Sequence, residues 1–244
     1  MPPLVLTFAA SDPTGGAGLQ ADLLTIAALG CHPLSVLTAV TVQDTRGVER
    51  IEALRAELVT QQARALLAES KVAAFKVGVL GSAENARAIA GIAREHANVP
   101  LVLDPVLASG RGDPLASEEA IWTLVPQASV VTPNTLEAER LGGHHGLLER
   151  GCRYVLVTGT HDETSEVVNR LYDARGLVRE DRWPRLPGSY HGSGCTLASA
   201  IAAALAKGRA VPQAVREAQE FTWRALEAAF SSGAGQSTPN RFFE

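Results

Sequence analysis

Residues 4–30, LVLTFAASDPTGGAGLQADLLTIAALG, carry three patterns in succession. Leu4–Ala10 is an apolar run of strand length, Ser11–Gly18 is a glycine-rich turn, and Leu19–Leu29 has helical period and is stopped by Gly30. A second apolar run rich in Val, Leu and Thr follows at Leu34–Val42. A buried strand, a crossover helix and another buried strand form the unit from which parallel sheets are built. The alternation continues. A helix is predicted over Arg55–Glu69, a strand at Phe75–Val79, and a helix capped by Ser82 that runs to about His96. Leu101–Leu103, Val130–Val131 and Tyr154–Thr158 read as very short buried strands. Val167–Tyr172 and Leu177–Arg182 bracket an Asp-Ala-Arg-Gly turn and read as an antiparallel hairpin at the sheet edge. Helices at Cys195–Lys207 and Val211–Phe230 close the pattern. With no repeat and no linker-like stretch, residues 1–244 are expected to form one α/β domain around a mostly parallel sheet.

Charge and composition narrow the function. The 244 residues carry 22 basic and 26 acidic side chains, a net −4, with no basic stripe to track a phosphodiester backbone. Nucleic acid is therefore not an expected partner. Cys31, Cys152 and Cys195 are too few and too scattered for a disulfide framework or a structural zinc site. No apolar run reaches about 18 residues, and no signal segment precedes Leu4, so a cytoplasmic protein with no membrane partner is expected.

Polar residues gather at one edge of the predicted sheet. Asp12, Gln43, Asp104, Asn134 and Thr158 each fall at or just past a strand's C-terminal end, where open α/β sheets bind ligands. Such residues are also ordinary turn and cap formers. The strongest local signal is Tyr190-His191-Gly192-Ser193-Gly194-Cys195-Thr196, which leads into the Ala/Leu helix Leu197–Ala206. Glycines let successive N–H groups turn toward one point, and the helix start adds its positive dipole end, so the turn is a ready anion hole. Phosphoryl transfer relies on such positioning and charge neutralisation. The helix start is also expected to lower the pKa of Cys195. A plain glycine turn with an inert cysteine, and a cysteine nucleophile for acyl transfer, are the alternatives. Ser11–Asp22 is neither a Walker A loop nor a dinucleotide fingerprint. It either seats a ring or hydroxyl, with Asp22 one turn into the helix, or allows tight helix packing. Asp104 together with Asn134 and Glu137 either holds Mg²⁺ and its waters, or Asn134 and Glu137 form a capping box.

Taken in order, AASDPTGGAGLQADL, TAVTVQDTRGV, FKVGVLGS, VLDPVLASGRGDPL, VTPNTLEAERL, VTGTHDETSE and HGSGCTLASA resemble the consecutive signatures of the hydroxymethylpyrimidine/phosphomethylpyrimidine kinases. The resemblance covers essentially the whole chain. It implies a ribokinase-like three-layer α/β/α sandwich, a homodimer, ATP with Mg²⁺ as phosphoryl donor, and a thiamine-pathway pyrimidine alcohol or its monophosphate as acceptor. It implies further that Gln43, Asp22, Gly18 and Val79 contact the pyrimidine, and that Gly192, Ser193, Gly194 and Cys195 form the anion hole with Cys195 beside the reacting hydroxyl. Asp104 and Glu137 are implied at the Mg²⁺–phosphate end, Asn134, Thr158, Gly159 and His161 along ATP, and Lys76 near a phosphate.

The chain departs from the family pattern at several points. Thr158-Gly159-Thr160-His161 stands where Lys-Gly-Gly-His is frequent, and Lys76-Val77-Gly78-Val79 where Lys-Ile-Gly-Met is frequent. Leu141–Gly151, with His144 and His145, is short, and the tail Gly233–Phe243 matches only loosely. Two other readings stay open: a pyridoxal or pyridoxine kinase of the same fold, and a catalytically weakened pyrimidine- or pyridoxal-phosphate-binding protein.

Overall fold

Nine strands form one sheet because six of them carry apolar side chains on both faces. In the computed structural model, which describes residues 1–108, 112, 115–162 and 164–243, the strands are β1 (Leu4–Ser11), β2 (His32–Gln43), β3 (Val48–Ala53), β4 (Val72–Val77), β5 (Leu101–Leu103), β6 (Val130–Val131), β7 (Tyr154–Thr158), β8 (Glu166–Asp173) and β9 (Gly176–Pro184). Their order across the sheet is β3-β2-β1-β4-β5-β6-β7-β8-β9. The run from β2 to β7 is parallel, while β3, β8 and β9 pair antiparallel at the two edges.

Successive strand residues point to opposite faces, and the two cores follow that alternation. Leu6, Phe8, Phe75, Val77, Leu101, Leu103, Val131 and Val155 pack on one face. That face is covered by α2 (Ala56–Glu69), α3 (Ala83–Glu95), α4 (Glu118–Leu124), α5 (Thr135–Arg140) and α6 (Gly143–Glu149). Val5, Ala74, Val102, Val130 and Leu156 pack on the other, against α1 (Gly18–Ala28), α7 (Ser193–Ala206) and α8 (Val211–Glu227). Helices on both sides of the sheet give the expected α/β/α layering. Helix α7 is buried from Cys195 to Leu205. Its alanines allow the sheet, α1 and α8 to approach it closely. Among the described residues, no helix is long and apolar enough to cross a membrane.

The structure adds elements that the sequence pattern does not show. Strand β3 is mostly exposed and polar, so it lacks the apolar alternation that marks a half-buried strand. Helices α4 and α6 are each seven residues long, too short for a periodic signal. Helix α6 fills the short Leu141–Gly151 region: Leu147 reaches the core, and His144 stacks on Tyr172 with centroids 3.8 Å apart. Of the segment VLDPVLASGRGDPL, residues 109–111, 113 and 114 lie outside the described residues, as do Glu163 and Glu244.

A buried ion pair joins β4 to α1 beneath the strand ends. Lys76 Nζ lies 2.8 Å from Asp22 Oδ1, and both side chains are fully buried. Asp22 also accepts from Thr7 Oγ1 of β1 at 2.6 Å and Ser199 Oγ of α7 at 2.8 Å. This corrects the expectations for both residues: Asp22 does not reach the ligand cleft, and Lys76 is held below it. The sequence placed Asp22 one turn into α1 but did not show which way that turn faces. Removing one member of a buried pair leaves an uncompensated charge, at a cost of about 3–5 kcal/mol. Asp22→Ala is therefore expected to lower unfolding free energy in urea by that amount, and Asp22→Ala with Lys76→Met to recover part of it. A variant with wild-type stability and a selectively raised acceptor KM would return Asp22 to ligand recognition.

Candidate active site

The parallel strands β1, β2, β4, β5, β6 and β7 all direct their C-terminal ends to one edge of the sheet, where a cleft of about 1060 Å³ opens. The chain leaves β1 through α1 toward β2 on one side, while β4 lies on the other. The β1/β4 boundary is thus a topological switch point, the position at which open α/β sheets bind ligands. Among the described residues the cleft is lined by Asp12 and Gly18 after β1, Gln43 at the end of β2, Val79 after β4, and Asp104 after β5. Asn134, Glu137, Thr158 and His161 line it further along, and Gly192, Ser193, Gly194 and Cys195 enter from the start of α7. Most of the residues singled out in the sequence converge there. The exceptions are Asp22 and Lys76, both buried beneath, and Gly159. The Gly159 amide donates to Asn169 Oδ1 and to the Val168 carbonyl, which turns it toward the β8 edge and away from the cleft.

The two glycine-rich loops meet backbone to backbone. Gly192 is the N-cap of α7 with φ +79°, and a methyl group there would overlap the Gly16 carbonyl. Only glycine meets both demands. Asp12 fastens the loops together: Oδ2 accepts from Ala17 N at 2.7 Å, Oδ1 accepts from Thr14 N at 2.8 Å, and His191 Nε2 lies 2.9 Å from Oδ2. Burial raises the pKa of Asp12, but the His191 contact and the loop amides outweigh it and hold the carboxyl well below the usual range. The Thr196 amide and hydroxyl both bond to the Gly192 carbonyl. The first amides of a helix lack intrahelical acceptors. Here these belong to Ser193, Gly194 and Cys195, at the cleft wall.

Cys195 departs from expectation. Burial pushes its thiol up to about 12, and the charges of Asp104 and Asp22 add to that, against the opposing pull of Lys76. Being at a helix start does not overcome loss of water plus two nearby carboxylates. Cys195 is thus a neutral thiol at rest, close enough to Asp104 for each to affect the other's ionisation.

Two carboxyls in the cleft stand out by their titration. Burial and the charge of Asp22 raise Asp104 to about 6, against the effect of Lys76, and its Oδ2 is buried without a hydrogen-bond partner among the described residues. Burial, then the charge of Asp104, raises Glu137 to about 7. Glu137 Oε2 accepts from Asn134 N at 3.0 Å while Asn134 Oδ1 accepts from Glu137 N at 2.9 Å. The capping box is present, and it holds Glu137 at the cleft. The charge of Asp104 hinders ionisation of Glu137, and a cation near both carboxyls would favour their charged forms. The residues therefore fit a divalent ion. Among the described residues no three ligating side chains converge, so an ion held here would take few ligands from the protein, as Mg²⁺ does when it keeps several waters.

The sequence reading missed an apolar alcove at the far end of the cleft, lined by Val167, Trp183, Leu186, Trp223 and Leu226. Trp183 and Trp223 stack with centroids 6.3 Å apart, and the Trp223 indole donates to the Pro184 carbonyl. These residues come from β8, β9, their following loop and α8, so no local motif could announce them.

A parallel α/β/α layering with an anion-binding helix start over the switch point describes the small-molecule kinases. More narrowly, this chain belongs to the phosphomethylpyrimidine kinase family, whose model matches residues 12–240. The hydroxymethylpyrimidine/phosphomethylpyrimidine kinase of Streptomyces coelicolor is 42% identical, over 96% of this chain and 92% of that protein. Among solved structures, phosphomethylpyrimidine kinase from Clostridium difficile matches 92% of this chain and 99% of its own, at 32% identity and a TM-score of 0.79. Pyridoxal kinase from Staphylococcus aureus in complex with AMP-PCP and pyridoxal matches 99% of this chain and 94% of its own, at 28% identity and a TM-score of 0.89.

The Glu137 carboxyl gives a pH prediction. Its folded pKa of about 7 lies above the ordinary 4.5, so its contribution to stability is full below pH 4.5 and is lost as pH rises through 7. Glu137→Gln loses one capping acceptor but carries no charge to bury. From pH 5 to pH 8 without Mg²⁺, urea unfolding is expected to shift in the variant's favour relative to wild type, by about 1–3 kcal/mol. A pH-independent difference would show that Glu137 ionises freely.

Proposed function

We propose that this protein transfers the γ-phosphoryl group of ATP to the hydroxymethyl group of a thiamine-pathway pyrimidine, or to the monophosphate of that alcohol. One observation carries the reading: the α7 start, with Gly192–Cys195, sits at the cleft wall between two differently lined regions. On one side, Gly18, Gln43 and Val79 offer a small pocket with one amide to read a ring edge. On the other, Asn134, Thr158, His161 and the tryptophan alcove suit a nucleoside triphosphate. A phosphoryl group passing between them would lie against the Ser193–Cys195 amides, where its charge is stabilised. Asp104 and Glu137 would hold Mg²⁺, which supplies positive charge to the phosphate oxygens.

The neutral Cys195 thiol alters the expected division of labour. In a loose phosphoryl transition state the attacking hydroxyl loses its proton late, and positioning dominates. Cys195 then contributes mainly its amide and the packing of its side chain beside the hydroxyl, with no resting thiolate required. A pyridoxal-type acceptor is the second reading, favoured by the strong match to pyridoxal kinase over nearly the full chain.

Initial rates with ATP and Mg²⁺ on the pyrimidine alcohol, its monophosphate, pyridoxal and pyridoxine test the assignment. The two pyrimidines are expected to give the highest kcat/KM, and absence of turnover on all four would sink it. Gln43→Ala is expected to raise the pyrimidine KM about tenfold, since leaving a buried polar partner unpaired costs about 1–3 kcal/mol, while the ATP KM stays unchanged. An equal rise for both ligands would assign Gln43 to structure. Cys195→Ala keeps the backbone hole, so its kcat should fall by no more than about 10²-fold. The wild-type pH–rate profile between 6 and 9 should show no limb that the substitution removes. Such a limb would restore the thiolate base.

A further inference from the structure

The segment after α8 turns back across the cleft rim and bonds to three loops. Gly235 N donates to Thr45 Oγ1 at 3.0 Å, and Gln236 N donates to the Thr45 carbonyl at 2.9 Å. Ser237 N bonds to the Ser189 carbonyl, and the Ser237 carbonyl accepts from His191 N at 2.9 Å. Gly233 and Gly235 permit this contact, because a methyl group on either would overlap Thr45. The strap ends by inserting Arg241, which is 3% exposed.

The Arg241 guanidinium joins the two glycine loops from behind. Nη2 donates to the Gly16 carbonyl at 2.6 Å, Nε to Thr196 Oγ1 at 3.1 Å, and Nη1 to the Pro239 carbonyl at 3.4 Å. Gly16 is the residue that packs against Gly192, and Thr196 Oγ1 in turn donates to the Gly192 carbonyl. One rigid fork therefore fixes the loop after β1 relative to the first turn of α7. Arg241 itself is not part of the cleft lining. A buried cation bonded to both halves of the turn's support has no need to be there for surface solubility. Its location behind the turn also puts a delocalised positive charge near Cys195 and Asp12.

We propose that Arg241 is a positioning residue for phosphoryl transfer: through Thr196 and Gly16 it holds the Gly192–Cys195 turn in register with the acceptor side of the cleft. The inference rests on the reading of that turn as the anion site. Small displacements of a reacting geometry cost rate far more than binding, on the order of 10²-fold for about 1 Å. Lysine cannot replace the planar fork that spans two acceptors.

The test compares Arg241→Met, Arg241→Lys, Thr196→Val and Thr196→Ser in the full-length chain, with circular dichroism and Tm recorded for each. Arg241→Met and Arg241→Lys are expected to lower kcat about ten- to a hundredfold, with the KM for ATP and for acceptor within about threefold of wild type. Thr196→Val, which removes only the bridging hydroxyl, should reproduce part of that kcat loss, and Thr196→Ser should restore wild-type rates. If Arg241→Met does not fold, the Thr196 pair decides. A Thr196→Val enzyme with wild-type kcat, or one whose loss Thr196→Ser fails to recover, overturns the proposal. So does an Arg241→Met loss that appears in KM alone. A wild-type chain that turns over none of the four acceptors defeats the functional reading. An active wild-type chain with unchanged variants defeats only the role of Arg241.

Discussion

The buried Lys76–Asp22 pair is the constraint around which the site is arranged. It ties β1, β4, α1 and α7 together through Thr7, Ser199 and the ion pair itself, directly under the switch point. Two charges taken out of water contribute to stability only when their hydrogen-bonding capacity is met. Asp22 has both oxygens engaged, and Lys76 Nζ lies so close to residue 78 that a methyl there, 2.6 Å away, would push the ammonium from its place. The sequence Lys76-Val77-Gly78-Val79 is thereby explained as one unit. The lysine crosses beneath the strand end, and the glycine makes room for it.

The same pair sets the electrostatics of the cleft above. Lys76 is close enough to Asp104 and Cys195 to oppose the rise in their pKa values, yet burial wins at both. The floor of the cleft thus carries one balanced pair, and above it a thiol and two carboxyls that are reluctant to ionise. A site in this state has little net attraction for an anion on its own. It becomes suited to a polyphosphate when cations accompany it, which is how nucleoside triphosphates occur in solution.

Much of this was legible in the sequence, for identifiable reasons. Apolar runs of two to nine residues separated by helical periods gave β1, β2, β5, β6 and β7 to within a residue or two, because parallel strands are buried on both faces and leave a continuous apolar signature. The turn at Gly192–Cys195 was readable as a glycine-rich helix start, and the structure places those residues at the cleft wall. What escaped was nonlocal. Strand β3 is polar because most of it faces water, and Asp22 carries no mark of which way its helix turn faces. The tryptophan alcove is assembled from four separate segments. Burial, the property that decides the protonation of Cys195, depends on the whole fold, whereas the helix-start rule sees only four residues. The Asn134–Glu137 pattern had two readings that the structure makes compatible, since a cap can also hold a carboxylate at a wall.

Helix α7 is enclosed from Cys195 to Leu205 between the sheet, α1 and α8, and its first turn borders the cleft. Behind that first turn its amides are shielded from solvent, so their exchange calls for a larger opening than that of the exposed β3 strand at the sheet edge. Motion is therefore divided by depth. The sheet-edge strand β3 parts most readily and the enclosed body of α7 least.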